Sequence, residues 1–220
     1  MSKRKIAFVE GEYYHIYNRG VDKRNIFSNE DDVDRFLRSM IEFNALEPIG
    51  SIFENSFNGQ LGGKASKLRE EGKLVEFVTY CLNANHYHFL LMQTADRGIE
   101  KFMHRLSTGY TGYFNEKEKR SGSLFQGKFK AVHVDSNEYL LHISAYVNLN
   151  DRVHQLGGLA SKLVESRSSW GEYTEKSKTA EGICDKGIIL GQFRNNAEYK
   201  KFALSSLDDI LTRREDPEEI

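Results

Sequence analysis

Two apolar runs joined by a short polar turn are the feature that most restricts how this chain can fold. The runs cover residues 74–82 and 87–93, and the turn between them is Asn83-Ala84-Asn85. Apolar runs of this length, bounded by turn residues, are typical of β-strands, and so short a connection pairs two strands side by side. We therefore expect an antiparallel hairpin in this part of the molecule.

The segments around this hairpin predict further strands and helices. We expect an aromatic-rich strand over 13–18, and a helix near 30–46 with Ser28 as its N-cap and Asp31 three residues later. The other predicted elements are strands over 49–54 and 129–134, helices near 97–116 and 195–213, and a helix near 136–150 that starts at a capping box of Asp135 and Glu138. An α+β sandwich follows, with an antiparallel sheet and helices packed on one face.

The composition is typical of a soluble globular protein. Of the 220 residues, 39% are hydrophobic and 29% are charged, and no apolar run approaches the roughly 18 residues of a membrane helix. The two cysteines, Cys81 and Cys184, lie far apart and outside any CxxC pattern, which favours reduced thiols. We therefore expect a cytoplasmic location and no membrane partner.

The length allows about one and a half domains at roughly 150 residues per domain. We expect one catalytic domain over 1–153, followed over 154–220 by a loop-rich extension with a C-terminal helix and an acidic tail. A nine-residue segment occurs twice, at 60–68 and 155–163, the first copy within an apparent insertion over about 56–73. Our hypothesis is that a duplicated DNA element was inserted in frame at two tolerant surface loops.

His86 and His88 are the most informative residues. Successive side chains of a strand point to opposite faces, so these imidazoles share one face while Tyr87 takes the other. Two imidazoles at this spacing can bind one metal ion, although ordinary polar residues at a strand start produce the same pattern more often. Tyr146 and Asn150 lie four residues apart on the predicted helix, so a phenol and an amide share its face. A core tyrosine gives that pattern too.

These residues lie in a series of motifs that resembles the single-tyrosine HUH transposases, most closely their REP-associated tyrosine transposase branch. The HUH motif, histidine–hydrophobic–histidine, is His86-Tyr87-His88 within LNANHYHFLL. Further segments that resemble the family, in family order, are YHIYNRG at 14–20, RLSTGY at 105–110 with YFN at 113–115, SGSLFQGKFK at 121–130, and YLL at 139–141 with YVNLN at 146–150. The motifs extend over about residues 13–153.

The resemblance implies a fold, a chemistry and roles for individual residues. It implies a ferredoxin-like sandwich in which Tyr146 is the nucleophile and a divalent metal, Mg²⁺ or Mn²⁺, is bound by His86, His88 and Asn150. The product would be a 5′-phosphotyrosine with a free 3′-hydroxyl. A proline commonly follows this asparagine in the family, whereas this chain has Asp151. Asp151 therefore competes with Asn150 as the third ligand.

The net charge of −1 argues against a nucleic-acid partner only until its distribution is considered. Residues 101–130 hold seven basic residues against two acidic ones, a local charge of +5, whereas 206–220 carry −4. Basic residues with interleaved aromatic rings are typical of surfaces that hold single-stranded DNA. The predicted DNA-binding residues are Arg19, Lys23, Arg24, Arg105, Gln126, Lys128 and Lys130.

The sequence thus predicts a metal-dependent enzyme that nicks and joins single-stranded DNA at hairpin-forming, palindromic repeats. Two alternatives stay open: a non-catalytic descendant that binds DNA hairpins, and a metal-dependent phosphoesterase that uses water instead of tyrosine. A pure binding protein would not need His86, His88 and Tyr146 together, which favours an enzyme. The expected partners are single-stranded or hairpin DNA and, as in some members of the family, a second copy in a homodimer.

Overall fold

A computed structural model of the chain describes residues 6–50, 52, 72–153, 166–174 and 182–215. For residues 213–215 it describes the backbone only. Both copies of the repeated segment, almost all of the apparent insertion and residues 216–220 lie outside these ranges. The strands are β1 Tyr13–Arg19, β2 Val75–Asn83, β3 His86–Gln93, β4 Lys130–Val134 and β5 Arg167–Ser168. The helices are α1 Glu30–Glu42, α2 Gly98–Lys117, α3 Asn137–Asn148, α4 Asn150–Val153, α5 Trp170–Thr174, α6 Gly187–Leu190 and α7 Asn196–Glu215.

The five strands form one antiparallel sheet in the order β4-β1-β3-β2-β5. The predicted hairpin is present as β2 and β3, which pair from Asn83 opposite His86 to Val75 opposite Gln93. β1 inserts next to β3, with Tyr17 opposite His88. The first four strands and the helices between them have the order of a ferredoxin-like fold, so the predicted α+β antiparallel sandwich is confirmed.

One face of the sheet, here called the aromatic face, packs against α1 and α2. Tyr87 and Phe89 of β3 lie on this face and contact Phe36 of α1 at ring-centroid distances of 5.6 and 6.4 Å. Phe102 of α2 meets Phe77 of β2 edge to face at 5.4 Å. Large rings in tilted and edge-to-face contact fill this space densely, which fixes both helices against the sheet.

The opposite face, here called the site face, carries His86 and His88 because side chains alternate along β3. α3 packs on this face against β2 and β3, and α7 packs against α3. The prediction of helices on one face therefore describes α1 and α2 but not α3 and α7. The physical reason is that β2 and β3 are central strands buried along nearly their whole length, so both faces of the sheet are covered.

Two helix starts differ by one residue from the predicted caps. Asn29, not Ser28, caps α1, and its side-chain oxygen accepts a hydrogen bond of 3.1 Å from the Asp32 amide. Ser136, not Asp135, caps α3 through a 3.3 Å bond from the Tyr139 amide. Neighbouring polar residues cap almost equally well, so the tertiary path of the chain decides which one adopts the extended cap conformation.

The strand predicted over 49–54 is wrong where the structure describes it. Ile49 and Gly50 are not in a strand, and Ile52 is helical. Both isoleucines pack on the core. Their spacing of three residues is that of one helical turn, which a run this short does not distinguish from a strand.

The described C-terminal residues belong to the same core as the rest of the sheet. Tyr199 of α7 accepts a 2.8 Å hydrogen bond from the Asn148 side-chain amide at the end of α3. Asn148 accepts one of 2.5 Å from the Ser169 hydroxyl, which in turn accepts one of 3.0 Å from the Tyr80 amide in β2. This buried chain of hydrogen bonds ties α7 and α3 to the sheet. A domain boundary near residue 153 stays a prediction.

The expectations of reduced cysteines and of no membrane helix can be compared with the structure. Cys81 and Cys184 are both free and buried, as expected for reduced thiols. None of the helices in the described ranges is long and apolar enough to cross a membrane. The cytoplasmic location stays a prediction.

We expect Tyr199→Phe to lower the free energy of unfolding by about 1–3 kcal/mol. The substitution keeps the ring but leaves the buried Asn148 amide without its acceptor, and an unsatisfied buried donor costs about that much. Urea denaturation measures the change. The matched control is Tyr13→Phe, because no residue in the described ranges hydrogen-bonds the half-buried Tyr13 hydroxyl. Equal effects of the two substitutions would contradict the role of the network.

Candidate active site on the site face of the sheet

The two histidines of the HUH motif and the candidate nucleophile come together on the site face. Tyr146 lies on α3 above β3, with its ring 5.6 Å from the His88 ring and nearly perpendicular to it. The His86 and His88 rings lie 5.3 Å apart, also perpendicular. Tyr146 is half-buried, and no residue in the described ranges hydrogen-bonds its hydroxyl. The phenol is therefore open to a ligand.

Asn150 reaches this site from outside the helix that carries Tyr146. α3 was predicted to continue to residue 150, but it ends at Asn148, and Asn150 begins the short helix α4. Its fully buried side chain still places Oδ1 3.1 Å from His86 Nε2. The turn at Leu149 therefore directs Asn150 to the site, which the predicted i, i+4 spacing from Tyr146 does not explain.

Asn150 Oδ1 and His86 Nε2 are directed at the same group, the side-chain amide of Asn83. The Asn83 side-chain amide lies 2.9 Å from Asn150 Oδ1 and 2.9 Å from His86 Nε2. His86 Nδ1 contacts Asn85 Oδ1 at 2.6 Å, so a proton on Nδ1 leaves the Nε2 lone pair directed at the Asn83 amide. Asn83 and Asn85 come directly before the HUH motif, and their positions in the sequence predict no role beyond the hairpin turn.

Asp151 lies close to Cys81. Burial raises the pKa of the Cys81 thiol, and the nearby charge of Asp151 raises it further. Cys81 also receives a hydrogen-bonding contact from the Asp151 backbone. Of the two candidate third ligands, Asn150 is the one whose side-chain oxygen contacts His86.

His15 is a site residue to which the sequence motifs assign no role. Its Nε2 lies 2.8 Å from Nδ1 of His88, and its ring is 5.9 Å from the Tyr146 ring. Burial lowers the pKa of His15 to about 4. The sequence pattern that points to His15 is strand alternation, which puts it on the same side of β1 as Tyr17. Tyr17 pairs with His88 across the strands.

The donors present fit a divalent cation. His86, His88 and Asn150 offer two imidazole nitrogens and one amide oxygen, a set that Mn²⁺ accepts readily and Mg²⁺ less so. The 3.1 Å between His86 Nε2 and Asn150 Oδ1 matches the spacing of about 3 Å between adjacent ligands of such an ion. Within the described ranges, no three His, Cys, Asp or Glu side chains form a metal-binding group, so the amide of Asn150 is needed to complete a set of three.

An open cleft of about 680 Å³ lies in front of Tyr146. The sheet forms its floor with His15, Tyr17 and His88, and α3 forms one wall. α7 forms another wall, which includes Asp209. The volume is sufficient for a nucleotide next to the tyrosine.

Four of the predicted DNA-binding residues gather at the end of β3 where His86 lies. Arg19 pairs with His86 across the strands, and its side chain hydrogen-bonds Gln126. Lys23 and Arg24 follow β1 in the segment that packs on the hairpin turn, where the Lys23 carbonyl accepts a bond from Asn85. The four side chains are exposed, so a basic rim lies beside the candidate site.

The remaining predicted DNA-binding residues divide between the site face and the aromatic face. Lys130 pairs with Tyr17 across the strands and holds its ammonium group 5.8 Å from the Tyr17 ring, and Lys128 is exposed just before β4. Arg105 lies on α2 and donates to the main-chain carbonyls of Ala45 and Leu46. The aromatic residues interleaved with the basic segment are largely core, including Tyr110, Phe114 and Phe125.

We expect the stability of the protein to fall as the pH is lowered from about 6.5 to 4, with His15 as one contributor. The unfolded chain binds a proton at His15 near its ordinary pKa, about 6.5, whereas burial lowers the folded-state pKa to about 4. Between these values the unfolded state binds more protons, so the contribution is complete above the unfolded pKa and is lost below it, by up to about 3 kcal/mol.

Urea denaturation at several pH values measures this contribution. We expect the stability difference between the wild type and His15→Gln to shrink as the pH falls through this window, because the variant lacks the titrating group. His104→Gln, at an exposed histidine on α2, is the control. A difference between the wild type and His15→Gln that stays constant with pH would contradict the prediction.

Comparison with known proteins finds a similar sequence family and a similar fold. Residues 50–150 match the family described as "Transposase IS200 like". A solved structure described as "Structure of the REP associates tyrosine transposase bound to a REP hairpin" has a TM-score of 0.51, covers 84% of this chain and 94% of that chain, and is 12% identical in sequence. No curated protein sequence matches the chain.

The solved structure resembles this chain in its fold, and the family resembles this chain in its sequence. The matched residues 50–150 include Tyr146, His86, His88 and Asn150. The similarity to the IS200-like transposases and to the REP-associated tyrosine transposases, which the motifs predicted, is therefore confirmed.

Proposed function

We propose that this protein is a metal-dependent transposase-like enzyme that nicks and joins single-stranded DNA at hairpin or palindromic repeats. The observation that carries the proposal is the convergence of a half-buried tyrosine, two imidazoles and one amide oxygen on one face of the sheet. The two histidines and the asparagine come from segments 64 residues apart. The similarity to the IS200-like transposases supports the same chemistry.

His86, His88 and Asn150 would hold Mg²⁺ or Mn²⁺. The bound ion would supply Lewis acidity at the phosphate and stabilise charge on the leaving oxygen. The fold positions the metal-ligand atoms in advance. Asn85 orients His86, and the buried position of Asn150 fixes its oxygen near His86. Asn83 now donates to both acceptors, so we expect it to yield this position to the cation.

Tyr146 would act as the nucleophile. Its hydroxyl oxygen attacks the scissile phosphorus, a bond forms between them, and the bond from phosphorus to the 3′-oxygen breaks. The phenol proton passes to solvent, and the leaving oxygen takes up a proton to become a 3′-hydroxyl. The resulting 5′-phosphotyrosine conserves a phosphodiester, so attack by another 3′-hydroxyl rejoins a strand and releases the tyrosine.

The basic rim would guide the DNA to the cleft. Arg19, Lys23 and Arg24 lie with Gln126 at the His86 end of β3, and Lys130 lies across Tyr17 from His88. Cationic side chains at these places can follow phosphates on both sides of the cleft. The fold of the chain is also that of a transposase solved with a REP hairpin, which supports hairpin DNA as the partner. Arg105 has a structural role in this proposal instead, because it donates hydrogen bonds to the main-chain carbonyls of Ala45 and Leu46 after α1.

The two alternatives make different use of the same residues. A hairpin-binding descendant would need the basic rim but not an open tyrosine facing two histidines. A phosphoesterase that uses water would need the metal ligands but not Tyr146. The placement of the Tyr146 ring beside both His88 and His15 favours the tyrosine enzyme. A homodimer stays a prediction.

We expect Tyr146→Phe to abolish a covalent protein–DNA adduct. The assay incubates the protein with labelled hairpin DNA that carries single-stranded flanks, in Mn²⁺, and separates the products on a denaturing gel. The phenylalanine keeps the ring but has no oxygen to attack phosphorus. The matched control is Tyr139→Phe, seven residues earlier on α3 and lining the same cleft, for which the adduct should persist.

The other outcomes of this assay identify the alternatives. Cleavage that survives Tyr146→Phe without an adduct indicates the phosphoesterase. Binding of the hairpin without cleavage by the wild type, at any Mn²⁺ or Mg²⁺ concentration, indicates the binding protein. Either result would overturn the proposed function.

We expect Asn150→Ala to raise the Mn²⁺ concentration needed for half-maximal nicking by at least about tenfold, as the loss of metal-site partners typically does. Asp151→Ala should leave this concentration nearly unchanged, because Asp151 lies beside Cys81 and Asn150 contacts His86. The two variants are measured in one Mn²⁺ titration of nicking. The opposite result, with Asp151→Ala the more sensitive, would assign the third ligand to Asp151.

A further inference from the structure

The His15–His88 pair is a direct contact between two buried imidazoles on neighbouring strands. His15 and His88 expose 6% and 7% of their surface, and His15 Nε2 lies 2.8 Å from His88 Nδ1. The two rings are nearly parallel, at an angle of 18° and a centroid distance of 5.1 Å. Tyr17 stacks on both, with centroid distances of 5.0 Å to His15 and 5.4 Å to His88. The rings therefore hold each other in one orientation.

Only one proton arrangement in this pair leaves His88 able to bind a cation through Nε2. One of the two nitrogens in the contact must donate and the other must accept. If His88 Nδ1–H donates, the neutral His88 ring carries its remaining lone pair on Nε2. If His15 Nε2–H donates instead, a neutral His88 is protonated on Nε2 and cannot act as a ligand there.

We propose that His15 is a positioning residue that accepts the Nδ1–H of His88 and thereby fixes the tautomer and ring orientation in which His88 Nε2 binds the metal. The inference rests on the proposed metal site, but the hydrogen bond itself does not. His86 has an analogous partner in Asn85, whose Oδ1 lies 2.6 Å from His86 Nδ1. Each histidine of the motif thus has its own acceptor at Nδ1, one from the hairpin turn and one from β1. Such partners commonly orient metal-binding histidines.

A merely structural histidine would behave differently. His15 packs against the aromatic rings of Tyr17 and Tyr146, where a phenylalanine would keep a flat aromatic ring of somewhat larger volume. His15→Phe keeps the ring but removes the acceptor. His15→Gln loses the ring but offers an amide oxygen as an acceptor for His88 Nδ1–H. A packing role predicts that phenylalanine is the better replacement, whereas the positioning role predicts that glutamine is.

The first measurement is the tautomer of His88 in metal-free protein, read from two-bond correlations between its ring nitrogens and carbon-bound protons in ¹⁵N-labelled samples. We expect the Nδ1–H form in the wild type and in His15→Gln. In His15→Phe we expect a shift toward the Nε2–H form that a free imidazole prefers. Thermal denaturation of each variant shows that it is folded before it is compared.

The second measurement is Mn²⁺ affinity, from the loss of the free-ion paramagnetic resonance signal on binding. We expect His15→Phe to weaken binding about 10- to 100-fold, the range typical for loss of such a partner, and His15→Gln to recover most of that loss. The matched control is His142→Phe, because His142 lines the same cleft but contacts Ser206 and Phe202. This control should bind Mn²⁺ as the wild type does.

The outcomes separate this proposal from the proposed function. A wild-type His88 protonated on Nε2, or a His15→Phe variant that keeps both tautomer and affinity, overturns the role of His15 whatever the enzyme does. A wild type with the Nδ1–H tautomer but no Mn²⁺ or Mg²⁺ binding overturns the metal site instead. Normal metal binding without a DNA adduct overturns the nicking chemistry alone and leaves the role of His15 supported.

Discussion

The pairing of β1 with β3 is the constraint on which the rest of the structure depends. In the observed register Tyr17 lies opposite His88, so His15, Tyr17, His86 and His88 share one face. A shift of one residue would turn every side chain of one strand to the other face. It would put imidazoles into the aromatic core and Tyr87 into the candidate site. The core therefore enforces the register, and the site inherits its geometry from the packing of large apolar side chains on the opposite side of the sheet.

The helix α3, which carries the candidate nucleophile, is held by polar groups rather than by apolar packing alone. Asn148 ends α3 and bonds both Tyr199 of α7 and Ser169. These buried bonds are costly to break because each group would lose its partner without gaining water. The turn that follows delivers Asn150 to His86 two residues later. The C-terminal part of the chain, which looks peripheral in the sequence, thus helps position both the candidate nucleophile and a candidate ligand.

The charge of the whole chain says little about its partner, because the basic groups that matter are few and local. A net charge of −1 conceals a basic rim at the His86 end of β3. Part of the basic segment serves the fold instead: Arg105 binds carbonyls, and Lys117 pairs with the buried Asp32 at 2.7 Å. A count of charges in a sequence window cannot separate these uses, since both depend on where the side chain ends in space.

The sequence by itself determined the hairpin, the α+β class and the placement of His86 and His88 on one face, because strand periodicity and turn chemistry are local properties. Motif order also predicted Tyr146 as the candidate nucleophile, and this stays a prediction. Only the tertiary structure decided that α3 ends before Asn150, that the Asn150 side-chain oxygen contacts His86, and that His15 bonds His88. These features depend on contacts between residues 64 and 73 positions apart. Such contacts are set by the register of the sheet and by the buried anchors of α3, which no local pattern encodes.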